Sequence, residues 1–325
     1  MANILVAGGA GYIGSHTCLE LSNKGFKPIA YDNLSNGHAE FVKWGPLEIG
    51  DIRDRAKLDE VLRKYKPEAI VHFAAAIEVG ESTRDPGGYY ENNVAGTITL
   101  LRAAQAAGID KIVFSSTCAT YGIPLSMPMD ESHAQVPINP YGRSKLIVEQ
   151  ILRDLDVYQG FQSCILRYFN AAGADPEGRI GEWHSPETHA IPIAIEASLG
   201  RRPHFQVLGT DYETRDGSCV RDFVHVLDLA DAHCRAIEHL LNKGSSYALN
   251  LGTGDGTTVK EMLETVRHVT GRDFKIEYGP RRKGDSPALV ADNALARRTI
   301  GWSPRHNLRS IISTAWNWHS NHLPT

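Results

Sequence analysis

Cysteine is scarce in this chain, and what there is lacks pattern. Cys18, Cys118, Cys164, Cys219 and Cys234 are odd in number, widely spaced and form no Cys-x-x-Cys pair. A disulfide framework and a cysteine zinc site are therefore not expected; reduced thiols and no metal are. No apolar run approaches the ~20 residues that cross a bilayer. The opening stretch, Met1-Ala-Asn-Ile-Leu-Val-Ala-Gly-Gly9, has neither a basic n-region nor a small-residue cleavage site, so no signal peptide is expected. The chain reads as soluble and cytoplasmic, with no membrane partner. Positive charge is not in excess: 34 basic side chains face 38 acidic ones, a formal net charge of −4. That balance argues against a nucleic-acid partner, while a local arginine cluster remains able to hold a small anion. Internal repeats, low-complexity tracts and flexible linkers are also absent.

What is present suits a sizeable core. The 325 residues are 42% hydrophobic and 22% charged, enough for two domains or one large one. Short apolar runs at Asn3–Ala7, Pro28–Tyr31, Ala69–Ala74, Lys111–Ser115 and Ser163–Arg167 read as buried strands, with a shorter one at Pro46–Ile49. Helical patterns fall between them, at Ile13–Lys24, Arg55–Tyr65, Asn92–Ala107 and Tyr141–Tyr158. Continuous apolar strands alternating with helices predict a parallel sheet covered on both faces. The second half is less regular. Gly, Pro and Asp gather between Asn170 and His189, the composition of a long functional loop. Thr258–Glu261 then has capping-box spacing ahead of a helical stripe of Val259, Met262, Leu263, Val266 and Val269.

The first strand runs into Gly8-Gly9-Ala10-Gly11-Tyr12-Ile13-Gly14, and a helix follows. Glycines at 8, 11 and 14 allow a tight turn, close approach of backbone to a pyrophosphate, and close helix–sheet packing. The helix start offers free N–H groups and a positive dipole end to phosphates. About 20 residues on, the second strand ends at Asp32, where an acid meets the adenosine ribose of a dinucleotide. Asp32 favours NAD over NADP, because a 2′-phosphate would be repelled. The fold expected is a Rossmann-type α/β doubly wound parallel sheet over residues 1–168. A smaller mixed α/β domain over 169–325 would hold the substrate, behind a soft boundary that lets C-terminal segments return to the first domain.

Tyr141-Gly-Arg-Ser-Lys145 follows Asn139-Pro140 and opens an amphipathic helix. Residues four apart share a helical face, so Lys145 can sit beside the Tyr141 hydroxyl. A free phenol, with a pKa of about 10, is a poor base at neutral pH. A neighbouring ammonium and a positive nicotinamide ring would stabilise the phenolate and make it a base for a sugar or alcohol hydroxyl. Upstream, the strand ending in Ser115-Ser116-Thr117 brings hydroxyls to the carboxyl end of a parallel strand, which faces the ligand crevice.

With these residues in place, the chain resembles the extended short-chain dehydrogenase/reductase family and, within it, the UDP-glucose 4-epimerases. The resemblance runs over essentially the whole chain. It is carried by Gly8-Gly-Ala-Gly-Tyr-Ile-Gly-Ser15, His72-Phe-Ala-Ala75, Tyr89-Tyr-Glu-Asn-Asn93, Phe114-Ser-Ser-Thr117, Tyr141-Gly-Arg-Ser-Lys145, Arg167-Tyr-Phe-Asn170, Val220-Arg-Asp-Phe-Val-His225 and Arg281-Arg-Lys-Gly-Asp285. It implies oxidation of a UDP-sugar at C4, turnover of the 4-keto sugar in the pocket, and reduction from the other face with NAD unchanged. In that cycle Tyr141 is the base, Lys145 tunes it and contacts the nicotinamide ribose, and Thr117 hydrogen-bonds the reacting oxygen.

The same resemblance assigns NAD contacts to Tyr12, Ile13, Asp32, Asn33, Asp51, Ile52, Phe73, Ala74, Asn92 and Phe169. It assigns UDP contacts to Asn170, Arg221, Arg282 and Asp285, with His189 at the nucleoside. Ile77 stands where some epimerases carry a lysine. Leu289 falls at the position that gates the sugar pocket, between the tyrosine that excludes N-acetylated sugars and the small residue that admits them. UDP-glucose and UDP-galactose are the substrates expected; a UDP-N-acetylhexosamine, UDP-pentose or UDP-uronate is the alternative, and a non-catalytic NAD-sensing protein a second. Dehydratases of this scaffold place Asp-Glu after the active-site threonine, whereas Thr117 is followed by Cys118-Ala119. A homodimer is also implied, with Asn92–Ala107 and Tyr141–Tyr158 paired to their symmetry mates in a four-helix bundle.

Overall fold

The first strand, β1 (Asn3–Ala7), shows why the sheet is covered twice. Ile4 and Val6 belong to one hydrophobic core, Leu5 and Ala7 to another. Successive side chains of a strand face opposite ways, so an unbroken apolar run is satisfied only by cover on both sides. The structure, a computed structural model, describes residues 1–282 and 285–322. In it β1 is joined by β2 (Lys27–Asp32), β3 (Leu47–Ile49), β4 (Ala69–His72), β5 (Lys111–Thr117) and β6 (Gln162–Tyr168). The strand Tyr247–Leu251 adds beside β6, and the order across the sheet is Tyr247–Leu251, β6, β5, β4, β1, β2, β3. Every pairing in this sheet is parallel. Helix α1 (Tyr12–Asn23) and the helix Val226–Leu241 cover one face; α2 (Arg55–Tyr65), Thr97–Ala106 and Pro140–Gln159 cover the other. This is the expected Rossmann-type doubly wound fold.

The second half supplies two further elements of that sheet layer that the sequence pattern had not shown, the helix Val226–Leu241 and the strand Tyr247–Leu251. Their buried polar residues hide the apolar period. The helix buries Asp228, Asp231 and His233, and the strand buries Asn250. Asp228 is used as a staple: its carboxylate accepts the backbone N–H groups of Arg305 and His306 at 3.0 and 3.1 Å. The rest of the half packs the helices Ala190–Ser198, Val259–Thr270 and Leu308–Asn321 around a separate core. The Thr258/Glu261 capping box forms in both directions. A short ladder sets Val220–Arg221 between Thr257–Thr258 and Ala288–Leu289.

One expected helix forms in two parts. Thr97–Ala106 is α-helical, but Glu91–Gly96 is a π-turn. Such a widened turn re-aims side chains and recurs at functional sites. Here Asn93 is buried. Its Oδ1 accepts the Ala76 N–H at 2.8 Å, while its Nδ2 donates to the Ala76 carbonyl and to Ser144 Oγ, each at 3.0 Å. Asn93 thus ties the loop after β4 to the helix that carries Tyr141. Among the described residues no helix is long and apolar enough to cross a membrane.

Candidate active site

Because all seven strands run the same way, their carboxyl ends lie along one edge. The chain leaves β1 toward β2 on one side, and β4 lies on the other, so the crevice of the switch point opens beyond β1. Gly8, Phe73 and Phe169 follow directly on β1, β4 and β6, and Asp32 and Thr117 close β2 and β5.

The glycine loop separates structural demand from ligand demand. Gly8 has φ +82°, and a Cβ there would lie 2.6 Å from the Ala74 nitrogen. A Cβ on Gly14 would lie 2.0 Å from the Gly8 carbonyl oxygen. At Gly11 a Cβ meets only that oxygen, at 3.4 Å, so the protein's own packing does not require glycine there and the space in front of the loop is left open. Gly11 precedes α1, whose first-turn N–H groups have no side-chain cap, and Tyr12 and Ile13 supply that first turn. Those groups suit a pyrophosphate. Gly11→Ala is accordingly expected to keep the wild-type unfolding temperature and lose NAD binding, whereas Gly14→Ala unfolds first. Thermal denaturation with and without NAD separates the two.

Asp32 is buried at the end of β2 and faces this loop. Its two oxygens accept the Ala10 and Leu34 N–H groups at 3.0 and 2.9 Å. Burial raises its pKa and the two backbone donors pull it back. Asp51 is held differently. Arg53 binds it through two nitrogens at 2.9 and 2.8 Å and Asn33 Nδ2 donates at 3.0 Å, which keeps the carboxyl far below its usual range. Ile52 beside it is buried. Ala74 donates its N–H to the Ala7 carbonyl at 3.0 Å, and Phe73 packs its ring 4.6 Å from that of His233. Asn92 donates to Asn93 Oδ1 at 3.0 Å.

The helix of the Tyr–Lys pair is built to start and stop where it does. Asn139 caps it by accepting the Gly142 N–H at 2.8 Å, Pro140 occupies its first position, and Gly160 ends it in the left-handed region. Lys145 is 3% exposed. Its ammonium donates to the Ser115 carbonyl at 2.9 Å and lies 4.9 Å from the centre of the Phe114 ring. Burial lowers its pKa to about 7, and the charge of Glu149 pulls the other way. Burial raises the Tyr141 phenol well above its ordinary value, with Tyr168 adding to the effect and hydrogen bonding to Thr117 opposing it. The protein alone therefore makes a reluctant base, which positive charge nearby must activate.

Beneath this pair runs a network that sequence reasoning missed. Glu149, fully buried one turn beyond Lys145, accepts from Arg167 Nε at 3.0 Å and Nη2 at 2.6 Å, and from Ser116 Oγ at 2.6 Å. Arg167 Nη1 donates to the Tyr121 hydroxyl at 2.8 Å, which donates to Asn250 Oδ1 at 2.6 Å. An acid four residues past Lys145, on the face turned to the sheet, was the available signal.

Of the residues expected around a diphosphate, Arg221 lies on the small ladder, and Arg282 and Asp285 connect to it through ion pairs. Arg221 pairs in register with Leu289. Its Nη1 donates to the carbonyls of Val220 and Ser286 at 2.9 and 3.0 Å, and its Nη2 lies 3.7 Å from Asp285 Oδ1. Arg282 donates to both oxygens of Asp285, at 3.2 and 2.8 Å. Leu289 and Cys118 both pack against the buried cluster that contains Phe169, which joins the ladder to the ends of β5 and β6. Asn170 donates through Nδ2 to the Asp222 carbonyl at 3.2 Å, leaving its Oδ1 available. Asp222, also unread from sequence, is a buried anchor: four donors reach its carboxylate, from Thr253 N and Oγ1, Gly254 N and Ala291 N. His189 directly precedes the helix Ala190–Ser198. Its Nδ1 is engaged by Glu182 and Glu187 at 2.9 and 3.1 Å.

A doubly wound sheet with a glycine loop, an acid closing its second strand and a buried Tyr–Lys helix defines a dinucleotide-dependent enzyme of the short-chain type. Residues 4–252 match the NAD dependent epimerase/dehydratase family, and the chain belongs to it. A protein of Rhizobium meliloti (strain 1021) named UDP-glucose 4-epimerase is 68% identical over 318 residues, 98% of this chain and 97% of its own. The fold is shared with a UDP-glucose 4-epimerase of Brucella ovis solved in complex with NAD, at 50% identity and a TM-score of 0.96 over 98% of each chain. A UDP-glucose-4-epimerase of Stenotrophomonas maltophila, solved with NAD and formylated UDP-arabinopyranose, matches at 39% identity and a TM-score of 0.97 over 99% of this chain and 98% of its own.

Proposed function

We propose that the chain interconverts UDP-glucose and UDP-galactose by NAD-dependent epimerisation at C4. The observation that carries this is the meeting of Tyr141, Lys145 and Thr117 at the carboxyl end of β5, with the Arg221/Arg282/Asp285 set joined to it through Leu289, Cys118 and Phe169. NAD would be held by Gly8, Gly11, Gly14 and the first turn of α1, with Asp32 accepting from the adenosine ribose. When bound it supplies the hydride acceptor and donor for C4.

The chain's own residues do the rest. Arg221 and Arg282 present planar guanidinium forks suited to diphosphate oxygens, and Asp285 holds both in place. Thr117 donates to the oxygen on C4 and orients it. Tyr141 takes the proton from that oxygen as the alcohol becomes a ketone and gives it back as the ketone is reduced. Lys145 favours the phenolate and so lowers the cost of the first transfer. A water-eliminating reaction of the same family is disfavoured by the two residues after Thr117. Burial pushes the Cys118 thiol up to about 12, and Ala119 carries no acid or base, so no second proton-transfer group stands there.

Incubation with UDP-galactose, read by the appearance of UDP-glucose, is the direct test. Well-folded protein that forms none even with NAD added would refute the proposal. Leu289 sets the expected specificity. Its branched side chain crowds the acetamido position, so UDP-galactose should outpace UDP-N-acetylgalactosamine in kcat/KM by about 10-fold or more, within the 1–3 kcal/mol that one pocket substituent is worth. Leu289→Ser should narrow that gap. We also place the enzyme in the cytoplasm, where its free cysteines stay reduced, and propose that it is a homodimer. Ile98 and Ile147, on the two helices expected to form the bundle, are only half-buried. Light scattering at micromolar concentration should give twice the chain mass.

A further inference from the structure

Four side chains with metal-binding donors converge in the segment before the helix Ala190–Ser198. One ligand atom each from Glu182, His184, Glu187 and His189 lies within 4.8 Å of all the others. The glutamates are buried and the histidines partly so. Both imidazoles turn Nδ1 inward. His189 Nδ1 lies 2.9 Å from Glu182 Oε1 and 3.1 Å from Glu187 Oε1. His184 Nδ1 lies 3.4 Å from Glu182 Oε1 and 3.8 Å from Glu187 Oε2.

Hydrogen bonding accounts for only part of this convergence: Glu187 Oε1 accepts the backbone N–H groups of Thr188 and His189, each at 2.8 Å, and pairs with His189 Nδ1 at 3.1 Å. His184 Nδ1 is sealed from solvent and has no hydrogen-bond partner among the described residues. The single proton that His189 Nδ1 can carry is faced by two carboxylates. Coordination accounts for it better. Bonds of ~2.0–2.1 Å to a tetrahedral zinc ion place neighbouring ligand atoms about 3.3–3.4 Å apart; Glu182 Oε1 lies 2.9 and 3.4 Å from the two Nδ1 atoms, and Glu187 approaches them through its two oxygens at 3.1 and 3.8 Å. Charge agrees: a dication offsets two buried carboxylates and leaves both imidazoles neutral, the form in which histidine ligates.

We propose that Glu182, His184, Glu187 and His189 form a four-coordinate site for a divalent cation, with zinc the ion that fits. Two imidazoles and two carboxylates match zinc's ligand preference, and four protein ligands make the site closed and structural rather than catalytic. Its ligands are already oriented from outside. Trp318 Nε1 donates to the Glu182 carbonyl at 2.9 Å, Arg202 Nη2 to the Glu187 carbonyl at 3.0 Å, and the His184 ring sits edge-on 6.4 Å from that of Tyr12. The ion would therefore pin the loop to the N-terminus of α1. With Nδ1 on the metal, His189 Nε2 must carry the proton and becomes a fixed donor. That donor's use toward a nucleoside rests on the proposed UDP-sugar reading; the metal site does not.

The test uses the full chain, purified on an untagged route without chelator, equilibrated with zinc chloride and desalted. Elemental mass spectrometry should find about one zinc per chain, against almost none in His184→Ala and Glu187→Gln. Stripping the wild-type protein with dipicolinate should lower its unfolding temperature and added zinc should restore it, which needs no variant to fold. Cobalt in place of zinc should give the visible bands of a four-coordinate site. Wild-type protein holding no more zinc than the variants, or an unfolding temperature indifferent to chelator and zinc, overturns the proposal and leaves an ion-pair box of two imidazoliums and two carboxylates. Metal content is read without any sugar turnover, so failure of the epimerase assay does not touch this result.

Discussion

Tyr141→Phe is expected to lower kcat for UDP-galactose by about 10³-fold, with unfolding temperature and NAD affinity unchanged. A positioned proton-transfer group contributes about 10²- to 10⁴-fold, and the upper half of that range applies because one hydroxyl serves both oxidation and return. Lys145→Met tests the other half of the pair. A neighbouring ammonium lowers a phenol's pKa by about 1–3 units, so its removal should move the acid limb of kcat/KM to higher pH by that amount. The sign comes from the charge: the ammonium stabilises phenolate, and without it more alkaline solution is needed to form the base. Burial already works against both groups, raising the phenol and drawing the ammonium down to about 7. The wild-type limb therefore belongs to the coupled pair, whereas the methionine variant leaves the tyrosine to titrate alone. A phenylalanine variant keeping a tenth of the turnover would remove Tyr141 from the role, and an unmoved limb would remove Lys145.

The parts of this molecule legible in the sequence are those where local chemistry and global fold agree. β1, β2, β4, β5 and β6 are apolar runs because both faces are buried, and Gly8 to Gly14 reads as a phosphate loop because backbone must pass close to backbone. Asn139-Pro140 and Gly160 bracket the Tyr141 helix by cap chemistry alone. What stayed hidden is where polar groups were spent inside the protein. Asp228, His233 and Asn250 broke the period of the returning helix and strand. Asn93 sits in a π-turn whose extra residue no periodicity announces. Asp222 was counted only as a neighbour of Arg221, yet its four hydrogen bonds fix the loops at 253–254 and 291 beside the ladder that carries Arg221. The 182–189 segment read as loop by composition, since nothing in its spacing shows that four donors fold back on one point.

The largest stability effect should come from Glu149, a residue that touches neither cofactor nor substrate. Glu149→Gln is expected to cost about 3–5 kcal/mol in urea unfolding, the cost of stranding one member of a buried ion pair. Arg167 is 1% exposed. Burial opposes its charge, and the hydrogen bonds and charge of Glu149, helped by Tyr121, outweigh that and hold the guanidinium above its usual range. The double variant Glu149→Leu/Arg167→Met should therefore be more stable than either single one, because no charge is left unpaired in the core. Catalysis should not recover with it. Glu149 is the negative charge that resists the fall of the Lys145 pKa, and its loss lets the ammonium deprotonate further below neutrality. Single and double variants alike should show a depressed kcat at pH 7 with KM little changed. A purely structural network would instead return kcat along with stability. Recovery of one without the other makes Glu149 a positioning residue for Lys145, acting from beneath the helix that carries the pair.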